Sequence, residues 1–137
     1  MHPKVVLVGG CFDILHYGHI CFLKESKKLG DRLVVFLESD ENTRKLKGPK
    51  RPIHSQEQRS EILKSLSFID EVVSLPPLPD YRKLTKGVNP QIIAVTQGDP
   101  MLKEKKEHAK KVGAKVVVIP EIKTKSTTQI AKLLEIE

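Results

Sequence analysis

The chain has no tryptophan, two cysteines and few aromatic side chains, 4% in all. So few aromatics supply a poor stacking platform for unpaired bases. Cys11 and Cys21 stand apart, with neither a Cys-x-x-Cys pair nor a histidine-rich partner set. That excludes a zinc module and a disulfide-stapled secreted scaffold, and points to reduced thiols in the cytoplasm. Long apolar runs are also missing. The longest, such as Val5–Val8 and Val116–Ile119, fall far short of the ~20 residues a membrane-spanning helix needs. No charged segment followed by an apolar one opens the chain, so no export signal is read there.

What is present suits one soluble domain over residues 1–137, with 39% hydrophobic and 30% charged residues. A chain of this length buries roughly two thirds of its unfolded surface and needs no metal or disulfide staple. Lys and Arg number 24 against 17 Asp and Glu, a formal charge of +7 that favours anionic partners. Nucleic acid and a phosphorylated metabolite both satisfy that charge.

Short β-branched runs alternate with helical patterns. Strands are expected at Lys4–Val8, Arg32–Leu37, Glu71–Leu75, Gln91–Val95 and Lys115–Ile119. Helices are expected from about Gly18 to Leu29, after Asp40, after Ser55, from Asp80, over Leu102–Val112 and after Ser126. Ser55 with Gln58, and Ser126 with Gln129, read as capping boxes. Ile62, Leu63 and Leu66 are expected to face inward from the third helix, and Ile130, Leu133 and Leu134 from the last. Lys47–Ile53 reads as a basic loop, and Pro76, Pro77 and Pro79 as a break. Nearly continuous apolar strands between amphipathic helices predict a Rossmann-like, doubly wound α/β fold: a five-stranded parallel sheet with helices on both faces. Ligands of such sheets bind at the carboxyl ends of the strands, where the order reverses.

The first strand runs into Gly9, Gly10, Cys11, Phe12 and Asp13, and His16, Gly18 and His19 follow. Two imidazoles three residues apart at a helix start lie on one side of that terminus. Helix amides and dipole already favour phosphate there, and imidazole donors would complete an anion cradle. Gly18 leaves the helix edge bare for a flat base. The plainer alternative makes His16 a helix cap and His19 a surface residue. Arg44, Lys45, Lys47, Lys50 and Arg51 place five cations in eight residues; they suit phosphate, a solvated surface or a nucleic-acid patch.

The string Gly-x-Phe-Asp-x-x-His-x-Gly-His from Gly10 resembles the signature of the HxGH nucleotidyltransferases, in their cytidylyltransferase-like branch. Leu29-Gly30-Asp31, Lys45-Leu46-Lys47-Gly48, Arg51-Pro52, Glu57-Gln58-Arg59 and Ser126-Thr127-Thr128 extend the resemblance nearly end to end. It is similar to the domain that activates heptose 1-phosphate for lipopolysaccharide core, to glycerol-3-phosphate cytidylyltransferase and, through its first half, to archaeal FAD synthases. The resemblance implies Mg²⁺-dependent transfer of a nucleotidyl group from an NTP, with ATP favoured over CTP, to a phosphorylated sugar or polyol. It assigns His16, His19, Lys47 and Arg59 to catalysis. Gly9, Gly10, Cys11, Phe12, Gly18, Lys45, Gly98, Asp99, Ser126, Thr127 and Thr128 would bind nucleotide, and Asp13 would approach the metal, through water, or stabilise a turn. It also implies a homodimer, and neither nucleic acid nor membrane as partner.

Two departures bear on the substrate. Glu121–Lys125 replaces the Arg-Thr-x-Gly-Ile segment of the glycerol-phosphate enzymes, and Thr96-Gln97-Gly98-Asp99 replaces a Gly-Gly-Asp or Gly-Asp-Asp. The late cysteine pair of archaeal FAD synthases is missing, which ranks FMN below a sugar phosphate as acceptor. A non-catalytic nucleotide sensor on the same fold is the reading from another class.

Overall fold

The computed structural model describes residues 3–122 and 132–133. Its elements are β1 (Val5–Gly10), α1 (Tyr17–Lys28), β2 (Arg32–Leu37), α2 (Asp40–Lys47), α3 (Gln56–Lys64), β3 (Glu71–Ser74), α4 (Tyr81–Val88), β4 (Ile92–Thr96), α5 (Leu102–Val112) and β5 (Lys115–Ile119). The expected helix after Ser126, with its capping box and the Ser126-Thr127-Thr128 segment, lies outside the described residues apart from Lys132 and Leu133. Leu133, expected to face inward, is 65% exposed.

The five strands pair in parallel in the order β3-β2-β1-β4-β5. The chain winds outward from β1 through β2 to β3, then returns to β1's other side for β4 and β5. The order therefore reverses between β1 and β4. Because side chains alternate across each strand, one set of residues builds two cores. Val6, Val8, Leu33, Val35, Leu37, Ile92 and Ala94 pack with Phe22 and Leu23 of α1 and Leu63 of α3. Leu7, Val34, Phe36, Ile93 and Val95 pack on the opposite face, with Leu84 of α4 and Leu102 and Ala109 of α5. Leu66 joins the first core, but Ile62, also expected inward, is 40% exposed, because α3 turns only Leu63 fully toward the sheet.

β1 runs two residues beyond the expected end, since Gly9 and Gly10 still pair with Phe36 and Leu37. At the other end, Gly30 lies where β-carbon space is gone: an added Cβ would sit 2.6 Å from the Lys4 carbonyl oxygen and 2.8 Å from Val6 Cγ2. Gly30→Ala is expected to destabilise the fold by roughly 1–3 kcal/mol through overpacking, read as a lower urea midpoint with unchanged slope.

Candidate functional site

All five strands point their carboxyl ends the same way, so the loops after β1, β2, β3 and β4 share one edge of the sheet. The loop after β1 is held tightly. Gly10 lies under the Phe12 ring, with room for no more than a contact of 3.0 Å at an added Cβ. Phe12 and Ile14 adopt φ of 45° and 57°, a region that costs side-chain-bearing residues on the order of 1–3 kcal/mol each. Between them Asp13 is buried. Its Oδ2 accepts from Arg51 Nε at 2.6 Å and Ile53 N at 2.8 Å, and its Oδ1 from His54 N at 3.1 Å. Burial alone would raise the Asp13 pKa, but the Arg51 guanidinium and the two amides outweigh it and hold the carboxyl below its ordinary value.

Three residues on, His16 opens α1 as its N-cap. His16 Nδ1 accepts from Gly18 N at 3.0 Å, and His19 Nδ1 accepts from His16 N at 3.3 Å, a capping box built of two histidines. The rings stack at 3.9 Å, and the His19 ring meets Phe12 edge-on at 5.4 Å. Burial lowers the pKa of both. His16 is lowered further by Lys47, and His19, with the charges of His16 and Lys47 added, is brought down to about 4. Both rings are therefore neutral at pH 7. A neutral ring whose Nδ1 accepts carries its proton on Nε2. The result is two adjacent N–H donors of fixed tautomer at a helix N-terminus.

Lys47 is close enough for its charge to act on both imidazoles and on Cys11. Arg44, Lys45 and Lys47 occupy the last turn of α2 rather than a loop. Lys45 and Lys47, two residues apart, are separated by roughly 200° around that helix, so Lys45 faces away from the side Lys47 presents. Burial pushes the Cys11 thiol up, against smaller opposing contributions from Thr43 and Lys47. It stays protonated at neutral pH and is no nucleophile there.

Two expected roles do not fit this geometry. Arg59, assigned to catalysis, is 1% exposed; its Nε donates to His54 O at 3.0 Å, its Nη1 to Cys11 O at 2.6 Å and its Nη2 to Asp40 Oδ1 at 2.7 Å. Asp13, placed beside the metal, has both oxygens committed, and no group of three or more His, Cys, Asp or Glu among the described residues could hold an ion. The described side chains thus build no all-protein cage for an ion, and Asp13 is committed to internal donors. Asp99 sits after β4 as expected, but its Oδ1 accepts from Met101 N at 2.7 Å and its Oδ2 from Lys105 Nζ at 2.6 Å. Gly98 beside it takes φ of 78° with open space over its α-carbon.

Sequence reasoning missed the interior place of Arg51, 2% exposed and paired with Asp13. It also missed the bond from Tyr81 OH to Glu38 Oε1, 2.5 Å, which ties the start of α4 to the end of β2. Both join segments distant in the chain, where spacing within a few residues carries no signal.

A parallel sheet that reverses at a glycine strand end, facing a helix N-terminus with two imidazole donors, defines a nucleotide-handling α/β enzyme. The cytidylyltransferase-like family model matches residues 7–133, and the chain belongs to that family. A FAD synthase of Thermococcus sibiricus is 41% identical over 133 residues, covering 95% of this chain and 89% of that protein. A bifunctional protein HldE of Campylobacter concisus is 39% identical over 132 residues, 96% of this chain. The chain spans about a quarter of that larger relative, 27%. Among solved structures, the lipopolysaccharide core biosynthesis protein from Thermoplasma volcanium GSS1 superposes with a TM-score of 0.74 at 32% identity, covering 90% of this chain and all of that one. The chain is a nucleotidyltransferase, and no described helix is long and apolar enough to cross a membrane.

Proposed function

We propose that the chain transfers AMP from ATP to a phosphate oxygen of a small phosphorylated acceptor, releasing pyrophosphate. The observation that carries this reading is the pair of neutral imidazoles, each with Nδ1 accepting from backbone and Nε2 carrying the proton, at the N-terminus of α1. The acceptor oxygen is already anionic at neutral pH, so no general base is required. That oxygen bonds to the α-phosphorus while the bond from the α-phosphorus to the bridging oxygen breaks, and pyrophosphate leaves in line. The chain has to hold two repelling anions together and neutralise the charge that gathers on the α-phosphoryl oxygens. His16 and His19 donate to those oxygens, and Lys47 supplies a positive charge beside them. Gly9 supports close approach of the nucleotide. An added Cβ there would meet only Phe36 at 3.7 Å, an ordinary contact, so the protein itself does not require the bare backbone. In this reading Mg²⁺ arrives on the triphosphate as part of the substrate, and Ser126, Thr127 and Thr128 meet its outer phosphates.

Two acceptors have specific support. Similarity over 89% of the length of two FAD synthases favours FMN, and restores it from the lower rank the missing cysteine pair implied. Similarity to HldE and to the Thermoplasma protein favours a heptose or related sugar phosphate. The discriminating experiment offers ATP or CTP with FMN, heptose 1-phosphate or glycerol 3-phosphate and reads the product mass. An adenylyl adduct of one acceptor supports the reading and names the acceptor. A cytidylyl adduct formed with CTP and none with ATP overturns the choice of nucleotide, and no adduct from any pair, with turnover also missing for other phosphomonoesters, overturns the transfer itself. Cytoplasmic, homodimeric operation without nucleic acid completes the proposal.

Lys47→Ala is expected to raise KM for ATP about tenfold, the scale of one charge-assisted contact. It should also raise the pKa of both imidazoles, because Lys47 lowers each; an NMR titration reads this. If only oligonucleotide affinity fell, the basic segment would serve nucleic acid instead.

A further inference from the structure

We propose that Arg51 and Asp13, with Arg59 behind them, form an internal clamp that sets the position of the His16–His19 pair. The inference rests on the transfer reading above and concerns positioning residues, since none of the three reaches solvent.

Segments 11–13 and 51–54 are joined at several points. Asp13 takes the side chain of Arg51 and the amides of Ile53 and His54. Arg59, coming from α3, bridges the two segments by donating to Cys11 O and His54 O together. A second carboxylate, Asp40, anchors the far end of Arg59 at 2.7 Å. The backbone between Cys11 and His16 carries the two positive φ values at Phe12 and Ile14, conformations that persist only where surroundings over-determine them. The clamp falls on the residue between those two, and the N-cap imidazole stands three residues later.

Stability alone is a poor account of this arrangement. A buried ion pair replaced by apolar groups of similar volume is often no less stable, and Arg51 Nη1 is buried without a hydrogen-bond partner. A cost accepted at that point is understandable if the planar fork fixes where the loop lies. Other charges acting there include Lys47 on both imidazoles and on Cys11, His16 on His19, Glu38 on Cys11 and Asp40 on Arg59.

The test compares Arg51→Ala and Arg51→Lys with the parent chain. For Arg51→Ala we expect kcat to fall roughly 10²-fold, the scale of a displacement near 1 Å, with KM for ATP changed by no more than about threefold. Guanidinium ion at non-denaturing concentration should restore part of kcat in Arg51→Ala and none in Arg51→Lys. In the folded variant the ring resonances of His16 and His19 should shift, and His19 should titrate above its parent value. A lower melting temperature with unchanged kcat and unchanged ring resonances overturns the clamp, as does a rise in KM without loss of kcat, which would put Arg51 on the phosphate. If the parent chain transfers no nucleotidyl group, the transfer reading fails by itself. The ring resonances still decide the clamp, because they need no turnover.

Discussion

His19→Ala is expected to lower turnover by at least ~10²-fold, the scale of losing one oxyanion donor, while the protein remains folded. The variant removes an Nε2–H donor and the Nδ1 acceptor that satisfies His16 N. Loss of half a capping box costs about 1 kcal/mol, small against the stability of a domain this size. It also removes the ring stacked on His16, so His16→Ala in parallel separates the two contributions. The residues act as a unit, so the double variant should lose little more than the worse single one. A His19→Ala protein that turns over at the parent rate would contradict the role given to this ring.

The second large effect is on pH. His19, held near 4 by burial first and then by the charges of His16 and Lys47, has a folded pKa well below its ordinary 6.5. The unfolded chain therefore binds a proton at a pH where the folded chain does not. Stability is fully present above pH 6.5 and is lost as pH falls toward 4, by on the order of 3 kcal/mol for His19. His16 is lowered as well and adds in the same direction. Asp13 is lowered from an ordinary 3.8, so its stabilisation is fully present above that pH and is lost only below it, outside the window. Urea unfolding from pH 7.5 to 4.5 should show the decline, and His19→Gln should flatten it. Turnover should persist at pH 6, where a free imidazole would be largely protonated. A decline centred on pH 6.5 in turnover, with flat stability, would mean that the rings are solvated and not held as the capping box requires.

Local chemistry made most of the fold legible. β-branched runs and the Ser55 capping box are encoded within a few residues, so among the described residues strand and helix positions agree with the structure to about one or two residues. Where the expectation ended β1 at Val8, ladder partners from β2 carry it on to Gly10, a tertiary effect that glycine propensity hides. At the histidine pair the helix cap at His16 was offered as the plainer alternative, but the second half of the box, His19 Nδ1 on His16 N, was not read, because histidine is not a usual box residue. Arg59 and Asp13 were not legible either, because charged groups near a glycine loop suit ligand and internal partner alike. Only the chain crossing that brings Arg51 and His54 beside Asp13 decides between them. Arg51 stood in a run of five cations, and nothing in that run marks one as interior.

The central claim is that this chain joins an acceptor phosphate to the α-phosphorus of ATP. Pyrophosphate release measures it most directly, with Mg²⁺ and ATP or CTP, over FMN, heptose 1-phosphate, glycerol 3-phosphate, phosphocholine and hexose 1-phosphates. Acceptor-dependent release with ATP is expected, falling at least ~10²-fold in His19→Ala. Failure of ATP and CTP even to bind by calorimetry would contradict it, since two imidazole donors at a helix N-terminus would then be cradling nothing.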